Sequence, residues 1–231
     1  MRVIKLRISA VVFAIAALAA ALPAACGGDS RQTEVRRAFE TFSGGHVVYV
    51  SKRDMRLYVY NRQGDIVADY KIAAGMNSDK KSKLYAGDNR TPEGVYRIIE
   101  IWSMDAQKNT PAYKKLMKYN QVYFRARDGH YRFGRPDADL GDNAYGPRFY
   151  LLDYPTKEDV MRYERAVAEG EVPVVRGNVA PIGWGIAIHG NNDEASIGHL
   201  SSSGCIRMYN NDIIDLEKYI RIKTPVIISG R

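Results

Sequence analysis

Two cysteines and four histidines occur in the chain, and one of each stands where covalent catalysis is chemically reasonable. Cys205 lies in Ser202-Ser203-Gly204-Cys205-Ile206-Arg207-Met208, and Ile188-His189-Gly190 precedes that run by a short polar loop. A free thiol titrates near pKa ~8.5, so at neutral pH it needs a base or a positive group beside it to act as thiolate. Cys205 is therefore the candidate nucleophile and His189 its general base. Gly204 lets the backbone pass close to a substrate carbonyl, where adjacent N–H groups can receive the oxyanion of a tetrahedral intermediate.

The polar residues around this pair have two readings each. The forked guanidinium of Arg207 suits a substrate carboxylate, and suits equally a loop-fixing bond to Asp212 or a backbone carbonyl. Ser202 and Ser203 either bond substrate or hold the turn. His199 with His189, Cys205 and Asp193 would be the material for a metal site, but the paired spacing of zinc ligands is absent, so no metal and no cofactor is expected. His46 and His130 have no chemistry near them in sequence.

Positioning such groups falls to a β-rich scaffold. Period-two or short apolar runs predict strands at His46–Ser51, Arg56–Tyr60, Ile66–Ala73, Gly94–Ile101, Arg148–Leu152, Gly183–Ile188 and Pro225–Ser229. Asn61-Arg62-Gln63-Gly64 reads as a hairpin loop. Helices are few. Thr156 caps Lys157–Glu169, Asn109-Thr110-Pro111 opens Ala112–Tyr119, and a third runs from about Asn211 to Arg221 with Ile213, Leu216, Tyr219 and Ile220 facing the catalytic turn.

These motifs together resemble the YkuD-type L,D-transpeptidases, cysteine enzymes that remodel peptidoglycan. The resemblance rests on His189-Gly190, Ser196-Ile197-Gly198, the Ser202–Met208 run with Asn210 and Asp212, Thr91-Pro92-Glu93-Gly94-Val95-Tyr96, and Leu57-Tyr58-Val59-Tyr60 with Gly64. It runs from about His46 to the C-terminus and is weaker from roughly Ser103 to Ala180. Ser203 departs from the pattern, since many members carry histidine directly before the Gly-Cys pair.

The resemblance implies a mainly β, sandwich-like catalytic fold with a few short helices, spanning 46–231 and interrupted by an insertion at about 103–180. It implies that Cys205 takes an acyl group from a peptidoglycan stem peptide and passes it to an amine, forming 3→3 cross-links or attaching another amine acceptor. With water in place of the amine, the same site is an L,D-carboxypeptidase or cross-link hydrolase. A non-catalytic wall-binding lipoprotein is the third reading. The family also implies that the backbone carbonyl of Gly190, rather than an acidic triad member, orients His189. Tyr119, Tyr123, Phe124, Tyr131 and Tyr145 in the insertion are candidates for packing glycan or peptide, or for ordinary strand faces.

The N-terminus points to export. Arg2, Lys5 and Arg7 precede an apolar run from Ile8 to Leu22, short for a membrane span and right for a signal peptide. Leu22-Pro23-Ala24-Ala25-Cys26 resembles a bacterial lipoprotein cleavage site, imperfect in having Pro23 three residues before the cysteine. It makes residues 1–25 the signal, Cys26 the lipidated first mature residue and the partner a membrane surface. The alternatives are ordinary cleavage after Ala19-Ala20-Ala21 and a Cys26–Cys205 disulfide. Residues 27–45 read as a tether, at most about 65 Å long if extended, with a weakly amphipathic stretch from Thr33 to Phe42 that has the pattern of a short helix. A net charge of +8, three of it ahead of Cys26, suits anionic envelope polymers or lipid head groups. No nucleic-acid motif is present.

Overall fold

The computed structural model describes residues 30–121 and 130–230. The signal segment, Cys26, Tyr123 and Phe124 lie outside the described residues.

Helix α1 (Ser30–Glu40) leads into strands β1 (His46–Ser51), β2 (Arg56–Asn61), β3 (Ile66–Gly75) and β4 (Gly94–Ser103), followed by α2 (Pro111–Asn120). A small hairpin of β5 (Tyr131–Arg132) and β6 (Arg135–Asp139) comes next, then β7 (Arg148–Leu152) and α3 (Lys157–Ala168). A second small hairpin, β8 (Val174–Val175) and β9 (Asn178–Val179), precedes β10 (Ala187–His189), β11 (Leu200–Ser202), β12 (Ile206–Met208), α4 (Asn210–Leu216) and β13 (Pro225–Ser229). The mainly β expectation holds. No helix among the described residues is long and apolar enough to cross a membrane.

The main sheet runs β11-β3-β12-β10-β7-β4-β13-β1-β2, and β2 also pairs with β3, so the sheet closes on itself. Closure removes the exposed edges that an open sheet of this size must protect. The alternation seen in the sequence is what fills the interior: Val48, Val50, Leu57, Val59, Ile72, Ile98, Ile188, Ile206 and Val226 are all fully buried in one cluster. Each such aliphatic side chain contributes about 1.5–3 kcal/mol by leaving water. Helix α4 adds Ile213 and Leu216 to the same cluster, with Ile220 beyond its end, and Tyr150 Oη donates to Ile213 O at 2.8 Å. The helical part is shorter than the sequence pattern suggested, and turns replace it after Leu216.

Helix starts follow the side chains that cap them. Thr156 and Asp159 form a reciprocal capping box at α3, and Thr110 caps α2 with Pro111 at its first position. The hairpin at Asn61–Gly64 forms as expected, with Gly64 at φ 88°.

The amphipathic stretch read within the tether forms as α1, starting earlier, at Ser30; it buries Val35 and Ala38 against Val47, Tyr49, Tyr60 and Ile227, because its apolar residues recur at helical spacing. One expectation is corrected. The predicted strand Gly183–Ile188 pairs only from Ala187. Gly183 and Gly185 adopt φ 87° and 80°, left-handed conformations that break a ladder, and Trp184 between them is 77% exposed. Within 103–180, β7 is a central strand, paired to β4 on one side and β10 on the other.

Candidate active site

Two short parallel strands place the chemistry. β10 and β12 pair with Ile188 opposite Ile206 and His189 opposite Arg207. Successive side chains on a strand point to opposite faces, so Ile188, Ile206 and Met208 enter the closed core while Ala187, His189, Cys205 and Arg207 face the other way. His189, Cys205 and Arg207 line one open cavity of about 280 Å³. Cys205 Sγ reaches Gly185 O at 3.6 Å. It is a free thiol, half-buried.

Gly204 has φ 136°, and a Cβ there would stand 2.8 Å from Arg90 O, so glycine is required for both conformation and space. Its N–H donates to Ser202 Oγ at 3.1 Å, and Ser202 Oγ–H donates to Cys205 O at 2.5 Å. Ser202 thus holds the turn, and Gly204 in this state contributes conformation rather than a free N–H. Ser203 lies on the cavity rim.

His189 is buried, its ring stacked on Phe149 at 5.6 Å and tilted against Tyr145 at 5.0 Å. Its Nδ1 lies 2.5 Å from the carbonyl oxygen of Gly190. A carbonyl only accepts, so Nδ1 carries the proton and Nε2 is left with the lone pair. Gly190 is itself fixed. A Cβ there would come within 2.5 Å of Asn210 Oδ1 and 2.7 Å of Pro147 Cδ, while Asn210 bonds both the N–H and the C=O of Asn191.

Burial pushes the imidazole of His189 down to about 3, with Arg207 adding to the shift and the Gly190 bond opposing it. Burial also pushes the Cys205 thiol up, against the Ala187 N–H, Arg207 and Lys83, which favour thiolate. Both groups are therefore neutral near pH 7. The resting pair is thiol and imidazole.

Arg207 donates to Ser201 O at 3.1 Å and makes no ion pair with Asp212 among the described residues. Its buried Nε has no hydrogen-bond partner. The loop-fixing bond and an unsatisfied donor thus coexist on one guanidinium. No group of three or more potential metal ligands occurs among the described residues. His199 stacks on Phe133 at 4.2 Å, and Asp193 accepts from the Phe133 N–H at 2.7 Å. His46 meets Tyr219 edge-on.

Several residues of the site were missed in the sequence. Lys83 lines the cavity and is paired to buried Asp88 at 2.7 Å. Asp88 also accepts from the N–H groups of Leu84, Tyr85 and Arg90, so one carboxylate folds the wall-forming loop. Thr91 ties that loop to β3 by accepting from the Gly75 N–H at 2.8 Å. Trp184, flanked by two glycines, is the one whose sequence context was a signal: a large aromatic on a left-handed turn beside His189. Trp184 and Tyr145 also border a second cavity of about 460 Å³, with Trp102, Tyr119 and Lys118. His130 enters the first cavity from the far side, at Ser203.

The sequence matches a known family. The profile of the YkuD family, the L,D-transpeptidase catalytic domain, covers residues 45–228, and the chain belongs to that family. Among curated proteins, it is 50% identical over 42 residues to the putative L,D-transpeptidase YkuD of Bacillus subtilis, a stretch covering 18% of this chain and 26% of that protein. It is 45% identical, also over 42 residues, to the putative L,D-transpeptidase YqjB of the same organism, covering 18% and 24%. The matches thus span about a quarter of those relatives' length. Solved structures similar to it include Bd1075 of Bdellovibrio bacteriovorus, at 20% identity and TM-score 0.48 over 81% of this chain and 49% of that one. The helical cell shape determining protein Pgp2 of Campylobacter jejuni is similar at 23% identity and TM-score 0.43, over 80% and 47%.

Proposed function

We propose that this protein is a cysteine L,D-transpeptidase that acts on peptidoglycan stem peptides through an acyl-enzyme on Cys205. The observation that carries the reading is the shared cavity of Cys205 and His189, with Gly190 O holding Nδ1 so that Nε2 is the basic nitrogen. Cys205 Sγ attacks the carbonyl joining the third stem residue to the terminal D-alanine, and its proton passes to His189 Nε2. The C–N bond breaks, D-alanine leaves with that proton on its amine, and a thioester remains. An amine on a neighbouring stem then forms the new amide as the C–S bond breaks and sulfur recovers a proton. Arg207 Nε is the donor proposed for a substrate carboxylate, a role its burial without a partner supports. Ser203 on the rim is a substrate contact in the same reading.

Export through the Arg2–Leu22 signal, and attachment to a membrane by lipidated Cys26, complete the proposal. Incubating the purified protein with tetrapeptide-bearing muropeptides, with and without an amine acceptor, tests the chemistry by mass spectrometry. Cross-linked dimers support transfer. Tripeptides alone would assign a hydrolase, and no D-alanine release would overturn the enzymatic reading.

A further inference from the structure

Transfer to an amine raises a proton problem that Cys205 and His189 do not solve. An aliphatic amine titrates near ~10.4 and arrives as an ammonium ion at neutral pH. It must lose one proton to gain a lone pair and a second when the amide forms. Sulfur recovers only one of them, so each transfer releases one proton to solvent. His189 is poorly suited to that release: the residue is only 3% exposed, its ring walled by Phe149 and Tyr145 and held weakly basic by burial and Arg207.

A second imidazole stands at the mouth. His130 follows the segment after α2, lines the same cavity, and is half-exposed. Its Nε2 lies 3.5 Å from Ser203 Oγ, and Ser203 is two residues before the nucleophile. The cavity thus has a buried imidazole on its aromatic side and a half-exposed one on its serine side. The charged or titratable groups sharing it with His130 are Lys83, Arg207, Tyr145, His189 and Cys205. Tyr131 and Arg132 flank it on its own hairpin.

We propose that His130 is the acceptor-side base, taking from the incoming ammonium the proton it must shed before attack on the Cys205 thioester and passing it to solvent. The inference rests on the transpeptidase reading, because only an amine acceptor brings that proton. Ser203, within reach of the same nitrogen, aligns the imidazole toward the acceptor path. Ser203 was marked by sequence but His130 was not, since the two stand 73 residues apart.

The test separates the two half-reactions of the purified full-length protein. Acyl-enzyme formation from a tetrapeptide muropeptide is followed by intact mass, and dimer formation with a tripeptide stem bearing a free side-chain amine by mass spectrometry, from pH 6 to 10. A positioned general base contributes about 10²–10⁴-fold, so His130→Gln should slow transfer relative to acylation by about a hundredfold at pH 7. The variant's transfer rate should then climb about tenfold per pH unit toward the amine's own pKa, whereas the wild-type profile levels off near that of an imidazole. An unchanged ratio and pH profile in His130→Gln would overturn the proposal and leave the transpeptidase standing, as would equal loss of both steps. Absence of acyl-enzyme and dimer in the wild type would sink both.

Discussion

His189 and Arg207 are register partners in the parallel pairing of β10 and β12, so a base and a fixed cation stand side by side on the cavity face. Arg207 adds to burial in holding the imidazole neutral. The price is paid in acid. The folded value, about 3, lies below the unfolded 6.5, so the unfolded chain binds the proton first and stability falls as pH drops through 6.5. Between pH 6.5 and 5, before most carboxylates titrate, the loss from this one group is about 1.5 kcal/mol. Chemical denaturation of wild type and His189→Gln across that window checks it: the variant should lack this part of the slope.

Cys205 has the opposite sign. Its folded value is raised from 9.0, so its neutral form stabilises the fold below about pH 9, and that contribution is lost above it. Cys205→Ala should therefore flatten the decline in stability between pH 9 and 10. The same variant should abolish acyl-enzyme formation while melting cooperatively. A carbapenem, whose strained lactam carbonyl offers the same electrophile, should add once to the wild type by intact mass and not to Cys205→Ala.

Gly190→Ala should damage the base without touching it. The added Cβ would meet Asn210 Oδ1 at 2.5 Å and Pro147 Cδ at 2.7 Å, and relief must shift the carbonyl that orients His189. Overpacking of this kind costs about 1–3 kcal/mol, and the acylation rate should fall with it. Thermal melts and the intact-mass acylation assay read the two effects separately.

How much of this was legible depended on whether the signal was local. β1, β7 and β13 form at the residues their alternation marks, and Thr156 and Thr110 cap the helices they were expected to cap. That Cys205 and His189 share one cavity was legible because both sit in one short stretch with glycine beside each. β11 and β12 were not, since three residues are too few to show a period. Lys83 and His130 were illegible as site residues because the path of the loops that carry them, rather than sequence spacing, brings them to the cavity. Gly183–Ile188 failed as a strand for a reason visible in hindsight: two glycines at left-handed φ lift Trp184 out of the ladder.

The Lys83–Asp88 pair is the wall's weak point. Both side chains are nearly inaccessible, and Asp88 is the common acceptor for three backbone N–H groups of the loop. Asp88→Ala leaves the ammonium and those donors buried without their partner, which costs about 3–5 kcal/mol. The expected result is a strongly lowered melting temperature. Lys83→Met keeps the carboxylate and its backbone bonds but leaves it unpaired by charge, and removes a group that favours thiolate. It should slow acylation while costing less stability than Asp88→Ala; equal stability losses would contradict the role given to the backbone bonds.

The proposed membrane attachment rests on Cys26 and not on the folded domain. With α1 docked onto the barrel from Ser30 by Val35 and Ala38, only residues 27–29 separate the proposed lipidated cysteine from the packed helix. Lipid attachment adds ~0.8 kcal/mol of membrane affinity per buried CH₂, so an acylated Cys26 should keep the protein in the membrane fraction through a high-salt wash. The short spacing would then hold the domain close to the bilayer, since three residues extend to no more than about 10 Å. Cys26→Ser should release it as a soluble, active species. Recovery of soluble wild-type protein beginning near Leu22, unaffected by Cys26→Ser, would end the lipoprotein reading and leave the chemistry at Cys205 unaffected.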